Sequence, residues 1–426
     1  MRQVLYDRIK LEFMLRGKKK FVIGRGPLKR SKMRAQWRIV AVLLLVFIPW
    51  QATVLTQTSG VTSQVKQALL GESTTEGLGA APVSEIRNLA DPTHDYGIAV
   101  GGQLNGLSDE DLSERLKDIH DTGAGWLRFD LQWELVQSSG PTAYNWAVYD
   151  RIVDTVGKYQ LKMIATLITT PQWARGSCQG GGCPPSDQAA FAAFAAKAAA
   201  RYQPKGLQVW EVWDEPNTAE SWQPKPDALA FAKLLQATYP ALRMANPQAI
   251  VISGGLSSQP SDGVNIAEID YLPQLYAAGV KGSFDALGAH PYTYPFIPSH
   301  NSQQGWSRLS QTASNLRQTM TANGDAAKKI WLTEFGAPTA GPAQAATMEN
   351  HRTHDATHVD EELQAQMIGK AAELYRGYDW VGPLVWYTYA DPGRVGPMGE
   401  SGFGLVREDG TKKPAYSAFQ KAIMGR

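Results

Sequence analysis

From residue 95 onward the chain repeats one pattern of hydrophobicity. Apolar runs of strand length occur at 96–100 (YGIAV), 125–130 (GWLRFD), 161–168 (LKMIATLI) and 207–213 (LQVWEVW). Four more follow at 249–255 (AIVISGG), 284–290 (FDALGAH), 329–335 (KIWLTEF) and 382–389 (GPLVWYTY). Short, nearly continuous apolar runs are the mark of strands buried on both faces. Between them the apolar spacing lengthens to that of a helix. Ser108 and Asp111 form a capping signal before Leu112, Leu116 and Ile119, which share one face. Ser186 is expected to cap an alanine-rich segment whose buried side carries Phe191 and Phe194. Leu229 to Leu242 and Leu363 to Leu374 have the same periodicity.

Eight strands alternating with helices over roughly 330 residues predict a (β/α)8 barrel in residues 95–426. The alternative, an open doubly wound sheet, lacks its usual sign, because no strand here runs into a glycine-rich phosphate loop. The fourth strand draws attention to itself. Its sequence, VWEVWDEPN (209–217), predicts Val209, Glu211 and Trp213 on one face and Trp210, Val212 and Asp214 on the other, with Pro216 ending the pattern. Asp214 and Glu215 then sit side by side at the strand mouth. Desolvating neighbouring carboxylates is costly, which points to a place where protonation matters, although a strand end that simply meets water fits the position as well.

The N-terminal part differs in character. Residues 1–38 carry thirteen Lys and Arg and only two acids, which leaves the rest of the chain acidic although the total is +2. A basic segment of this kind would suit nucleic acid, but an apolar run at 39–55 (IVAVLLLVFIPWQATVL) begins directly after Arg38 and explains it better. The expectation is a signal anchor with a cytoplasmic basic tail. A cleaved signal peptide starting at Met33 is the competing reading. Either way the barrel is exported and nucleic acid is not a partner. Residues 56–94, rich in Ser, Thr, Gln and Gly, read as a flexible linker. In an oxidising compartment Cys178 and Cys183, the two cysteines, are expected to form a small disulfide rather than a zinc site.

A barrel of this class places its chemistry at the carboxyl ends of the strands. Those ends carry Arg128, Asp130 and Trp133; Thr169, Thr170 and Trp173; Asp214, Glu215 and Asn217; then His290, Tyr292, Tyr294, Glu334, Trp386, Tyr387 and Tyr389. Aromatic faces stack on the C–H faces of sugars, and carboxylates serve an oxocarbenium-like centre. Two glutamates on strands four and seven face each other across a barrel, where they can reach the separation of about 5–5.5 Å used by retaining glycosidases. His351, His354 and His358 lie in a polar stretch after strand seven, which reads as a lid over the cleft rather than a metal site. Asp360, Glu361 and Glu362 read as a helix start. Glu211 lies too deep in its strand to be a catalyst, and Glu134 has no motif around it.

At this level the chain resembles glycoside hydrolase clan A, especially families 5 and 39. Trp213-Asp-Glu-Pro-Asn217 is similar to the strand-four signature, and Trp331-Leu-Thr-Glu-Phe-Gly336 to the strand-seven signature. Arg128, His290-Pro-Tyr292, Trp386 and the closing GLVREDGTKKPAYSAF extend the resemblance over residues 95 to about 420. It implies that Glu215 is the acid/base and Glu334 the nucleophile, in a double displacement with retention. It further implies that Arg128 pairs with Glu334, that Tyr292 hydrogen-bonds the same carboxylate, and that His290 binds a sugar hydroxyl or braces the site. Trp386 would floor the subsite of the reacting sugar, with Trp133 and Trp173 lining its neighbours. Relatives usually carry Asn where this chain has Asp214, a position that contacts the 2-hydroxyl, and a carboxylate there accepts hydrogen bonds without donating them. The reading calls for a carbohydrate partner, a monomer, and neither cofactor nor metal. A wall-polymer transglycosylase and a non-catalytic carbohydrate-binding barrel remain as alternatives.

Overall fold

In the computed structural model, which describes residues 95–298, 305–341, 344–351, 356–392 and 402–425, eight parallel strands close on themselves in chain order. They are β1 (Tyr96–Ala99), β2 (Trp126–Gln132), β3 (Lys162–Ile168), β4 (Val209–Asp214), β5 (Ile250–Ser257), β6 (Leu287–His290), β7 (Ile330–Phe335) and β8 (Val381–Tyr387). Ile98 faces Leu127 of β2 on one side and Trp386 of β8 on the other, so no edge is left open. Each expected strand is present, with ends shifted by a few residues. The basic tail, apolar run and linker fall outside the described residues. Among the described residues no helix is long and apolar enough to cross a membrane.

The intervening helices are α1 (Asp109–Asp121), α2 (Trp133–Val136), α3 (Ala147–Lys158), α4 (Gln188–Tyr202), α5 (Ala228–Ala245) and α6 (Glu268–Ala277). They continue with α7 (Trp306–Ser310), α8 (Leu316–Ala322), α9 (Glu361–Arg376) and α10 (Pro414–Met424). Ser108 caps α1 by accepting from the Asp111 amide, and Leu112, Leu116 and Ile119 are buried as their spacing requires. Asp360 caps α9 in the same way, with Glu361 and Glu362 in its first turn where the helix dipole favours them. The cap of α4 is a correction. Asp187, not Ser186, accepts from the Ala189 amide, while the Ser186 hydroxyl turns back to the Ala174 carbonyl.

Strand parity sorts the side chains into layers. Ile164, Val209, Ile252 and Val385 fill the inside of the barrel above an edge-to-face pair of Trp126 and Trp331. Two residues further along their strands, Arg128, Thr166, Glu211 and Thr333 form a buried polar layer. Arg128 Nε donates to Glu211 Oε2 at 2.6 Å, and the Thr166 and Thr333 hydroxyls donate to the same carboxylate. A buried charge is tolerated only when paired and hydrogen-bonded, and Glu211 is held on both oxygens. Its role is structural, as its depth suggested.

Above this layer the alternation fails on the two strands that carry the candidate glutamates. Trp213 is expected inside with Glu211, yet it packs outward between Phe191 and Trp222. Asp214 and Glu215 both turn inward instead. The backbone achieves this through φ of +70° at Trp213 and +42° at Glu215, a region that bulky residues rarely adopt. On β7 the pairing with β8 shifts register between Leu332 and Phe335, so that Thr333 and Glu334 both reach the interior. Strained backbone of this kind persists where surrounding structure holds it, commonly at functional sites.

Candidate active site

Arg128 organises the mouth. It is fully buried, and besides Glu211 its Nη1 binds Glu334 Oε1 and its Nη2 binds Asp214 Oδ1, each at 2.5 Å. Burial disfavours its charge, but Glu211, Glu334 and Asp214 outweigh that and hold the guanidinium well above its usual range. Tyr292, from the turn after β6, donates its hydroxyl to Glu334 Oε2 at 2.7 Å. Both oxygens of Glu334 are therefore held by donors, which fixes the orientation of its carboxylate. The phenol is pushed well above its ordinary range by burial and by the Glu334 charge, so it stays a donor.

His290, at the end of β6, is completely buried. Its Nδ1 lies 3.0 Å from Glu215 Oε1 and 3.7 Å from Glu334 Oε2, so one nitrogen touches both carboxylates. Burial opposes protonation of this ring, but Glu334, Glu215 and Asp214 prevail and raise it to about 9. The imidazole thus braces the site between the two carboxylates. The ring can take this position because Gly255 on β5 has no side chain: a Cβ there would fall 2.1 Å from Nε2. The Gly255 carbonyl also accepts the Glu215 amide at 3.0 Å. Asn217 secures the far side of the turn, bonding the backbone of Ser257 and Ile266.

Asp214, His290 and Glu334 bring potential ligand atoms within 4.8 Å of one another, a spacing a cation could bridge. Two of the three already share the Arg128 guanidinium, which supplies positive charge at that place. His351 and His358 are both buried, and His351 Nδ1 is hydrogen-bonded to the Met348 carbonyl, while His354 lies outside the described residues. Glu134 is paired with Arg175. Cys178 and Cys183 are joined, with Cα atoms 5.8 Å apart.

The tryptophans need correction. Trp386 is not at the floor of the cleft. Parity on β8 turns it outward against Phe335, where it is 3% exposed and its Nε1 donates to the Phe403 carbonyl. Tyr387 takes the inward place, next to Phe403, and with Tyr292 and Tyr294 around that ring makes an aromatic wall. Trp133 begins α2 fully buried, stacked on Phe194 and edge-on to Phe191, so it is a core residue. Trp173 is partly exposed at the rim and packs edge-on against Trp133. Asp130 had no assigned role, though it follows Arg128 by two residues and so shares its inward face. Burial and the charges of Asp214, Glu334 and Glu211 raise its carboxyl to about 7 against the opposing pull of Arg128.

The family model described as Cellulase (glycosyl hydrolase family 5) matches residues 99–368. Together with the closed barrel this places the chain in glycoside hydrolase clan A. The chain belongs to glycosyl hydrolase family 5. Among solved structures, a family 39 glycoside hydrolase from the gut symbiont Bacteroides cellulosilyticus WH2 aligns with a TM-score of 0.56 and 22% identity. That alignment covers 78% of this chain and 64% of the other, just under two thirds of its length. A family 5 subfamily 18 protein from Streptomyces cattleya, solved with GlcNAc, aligns with a TM-score of 0.57 and 16% identity over 78% of this chain and 80% of that one. In sequence, the beta-amylase Tri a 17 of Triticum aestivum is 29% identical over 80 residues, which is 16% of its length. At these identities the likeness carries the fold alone.

Proposed function

We propose that the enzyme is a retaining glycosidase, exported from the cell, that cleaves β-linked poly- or oligosaccharide by double displacement. The observation that carries this reading is the shared contact of Glu215 and Glu334 with one nitrogen of His290, at 3.0 and 3.7 Å. Two carboxylates drawn to a common nitrogen favour the short spacing of about 5–5.5 Å that supports retention, rather than the wider gap that leaves room for water in inversion. Glu334, held by Arg128 and Tyr292, attacks the anomeric carbon. Glu215 gives its proton to the leaving oxygen as that bond breaks. It then takes a proton from water, whose oxygen displaces Glu334 and restores the free enzyme. The aromatic wall around Tyr387 and Phe403 faces the apolar side of the sugar, and Asp214 accepts from one of its hydroxyls. The apolar run at 39–55 and the basic residues before it support export.

The test is a pair of substitutions assayed on activated aryl β-glycosides and on unactivated β-linked oligosaccharides. Glu334→Gln is expected to abolish turnover. Glu215→Ala is expected to lower cleavage of unactivated sugars about 10²–10⁴-fold, while added azide yields a glycosyl azide of retained configuration. Inverted product, or wild-type rates in Glu334→Gln, would overturn the assignment.

A further inference from the structure

Glu268, the first residue of α6, is 2% exposed, and the mechanism gives it no role. A buried carboxylate is costly unless it is paired and hydrogen-bonded. Its partner is Arg308 of α7, whose Nη1 lies 2.9 Å from Glu268 Oε2. The same nitrogen donates to the Gln259 carbonyl at 3.2 Å. The pair therefore joins three pieces of backbone: the start of α6, the loop after β5, and α7.

Each piece touches the backbone that carries the site. Gly305, three residues before Arg308, lies on the turn after β6, where a Cβ would fall 2.2 Å from the Tyr292 carbonyl oxygen and 2.7 Å from that of Pro291. Its φ of +52° also favours glycine. Trp306 is fully buried and edge-on to Phe335, the residue after Glu334. In the loop after β5, the Ser258 hydroxyl donates to the Tyr292 carbonyl at 2.9 Å, beside the Gln259 carbonyl that Arg308 holds. Ahead of α6, the Ile266 amide donates to the Asn217 carbonyl at 3.0 Å, two residues beyond Glu215. Two routes thus lead from the pair to Tyr292, a third to β7 and a fourth to the turn of the acid.

We propose that Glu268 and Arg308 are positioning residues for the reaction: their ion pair holds the Tyr292 hydroxyl on Glu334, and opening the pair loosens that contact. The proposal rests on the reading of Glu334 as nucleophile. The pair is one that pH can open. Burial lifts the Glu268 carboxyl to about 7, with Arg308 of α7 opposing the rise and Asp270 of the same helix turn adding to it. Above that pH a carboxylate faces the guanidinium. Below it a neutral carboxyl keeps only a weaker hydrogen bond.

The experiment uses the full-length protein and two readouts between about pH 5.5 and 8.5. One is kcat/KM on 4-nitrophenyl β-D-glucoside, xyloside and mannoside. The other is hydrogen exchange, corrected for its intrinsic pH dependence, of the peptide spanning residues 287–296. The wild type is expected to lose activity about 5–20-fold as pH falls through the Glu268 titration, part of the roughly 10²-fold that a 1 Å misplacement costs. Glu268→Gln copies the protonated state and keeps an acceptor for Arg308. It is expected to show the lower rate already at about pH 8 and no further fall to about pH 5.5, with the peptide exchanging about threefold faster at the higher pH. Arg308→Lys keeps the cation and is expected to keep the acid limb. A limb that persists in Glu268→Gln belongs to Asp130, whose carboxyl titrates in the same range, and overturns the proposal. Unchanged exchange of the peptide in Glu268→Gln overturns it as well. If none of the three glycosides is cleaved, or Glu268→Gln does not fold, the peptide is compared at the two ends of the pH range in Asp130→Asn: faster exchange at the acid end supports the coupling, and equal exchange overturns it. Failure of the retaining reading shows separately, as inverted product.

Discussion

At the scale of single residues, Asp130 shows how charge is balanced at the barrel mouth. It stands beside three other acids and one guanidinium, and burial lifts its carboxyl from the usual range to about 7. A carboxyl whose folded value is raised binds its proton more tightly in the native state. Its unfavourable contribution is therefore absent below about pH 4, where both states are protonated, and grows until the pH passes 7. Asp130→Asn should accordingly stabilise the protein at pH 8 by about 1–3 kcal/mol and leave it unchanged at pH 4. Urea unfolding at the two pH values checks this, and equal effects at both would show that the carboxyl titrates normally. His290 has the same sign. Its stabilising contribution is complete below its unfolded value near 6.5 and is lost as pH rises through about 9. Asp130 was within reach of sequence reasoning, because it follows Arg128 at the period of a strand. What the period leaves out is the company of Asp214, Glu334 and Glu211, which come from two other strands.

At the scale of elements, β5 contributes without placing a polar side chain in the site. Gly255 leaves the space that the His290 ring occupies, and its carbonyl fixes the Glu215 amide. Gly255→Ala is expected to displace the fully buried ring, because a methyl group there overlaps three of its atoms at 2.1–2.8 Å. Overpacking a filled site costs about 1–3 kcal/mol, and turnover should fall at least tenfold as His290 loses its contact with both carboxylates. A variant with wild-type kinetics and urea midpoint would show that the ring has room to move. The same strand scale explains the misplaced tryptophan. Trp386 and Tyr387 are both aromatic and adjacent, and which of them faces inward depends on the register of β8 against β1 and β7. Hydrophobicity alone does not distinguish the two, since the outer face of a barrel strand is as apolar as its inner face.

At the scale of the whole molecule, the proposed export rests on the thirteen Lys and Arg of residues 1–38 directly before the apolar run at 39–55. Protease added to intact cells is expected to cut within residues 56–94 and release an active soluble enzyme. A barrel that stays protected until the cells are lysed would refute export. Much of this molecule was legible along the chain. Eight apolar runs with helical spacing between them are a local pattern, and local patterns suffice to count strands and predict closure. The two glutamates were legible for a related reason, since each stands at a strand end in a distinctive short sequence. Alternation, however, assumes a regular strand, and β4 and β7 are irregular where it matters most. The left-handed backbone at Trp213 and Glu215 and the register shift before Phe335 arise because neighbouring strands and the Arg128 guanidinium hold them there. So the sequence by itself determined the strands, the barrel and the acids at its mouth. Only the tertiary structure decided which side chains turn inward, because that depends on contacts between residues far apart in the chain, such as Arg128 and Glu334, 206 positions apart.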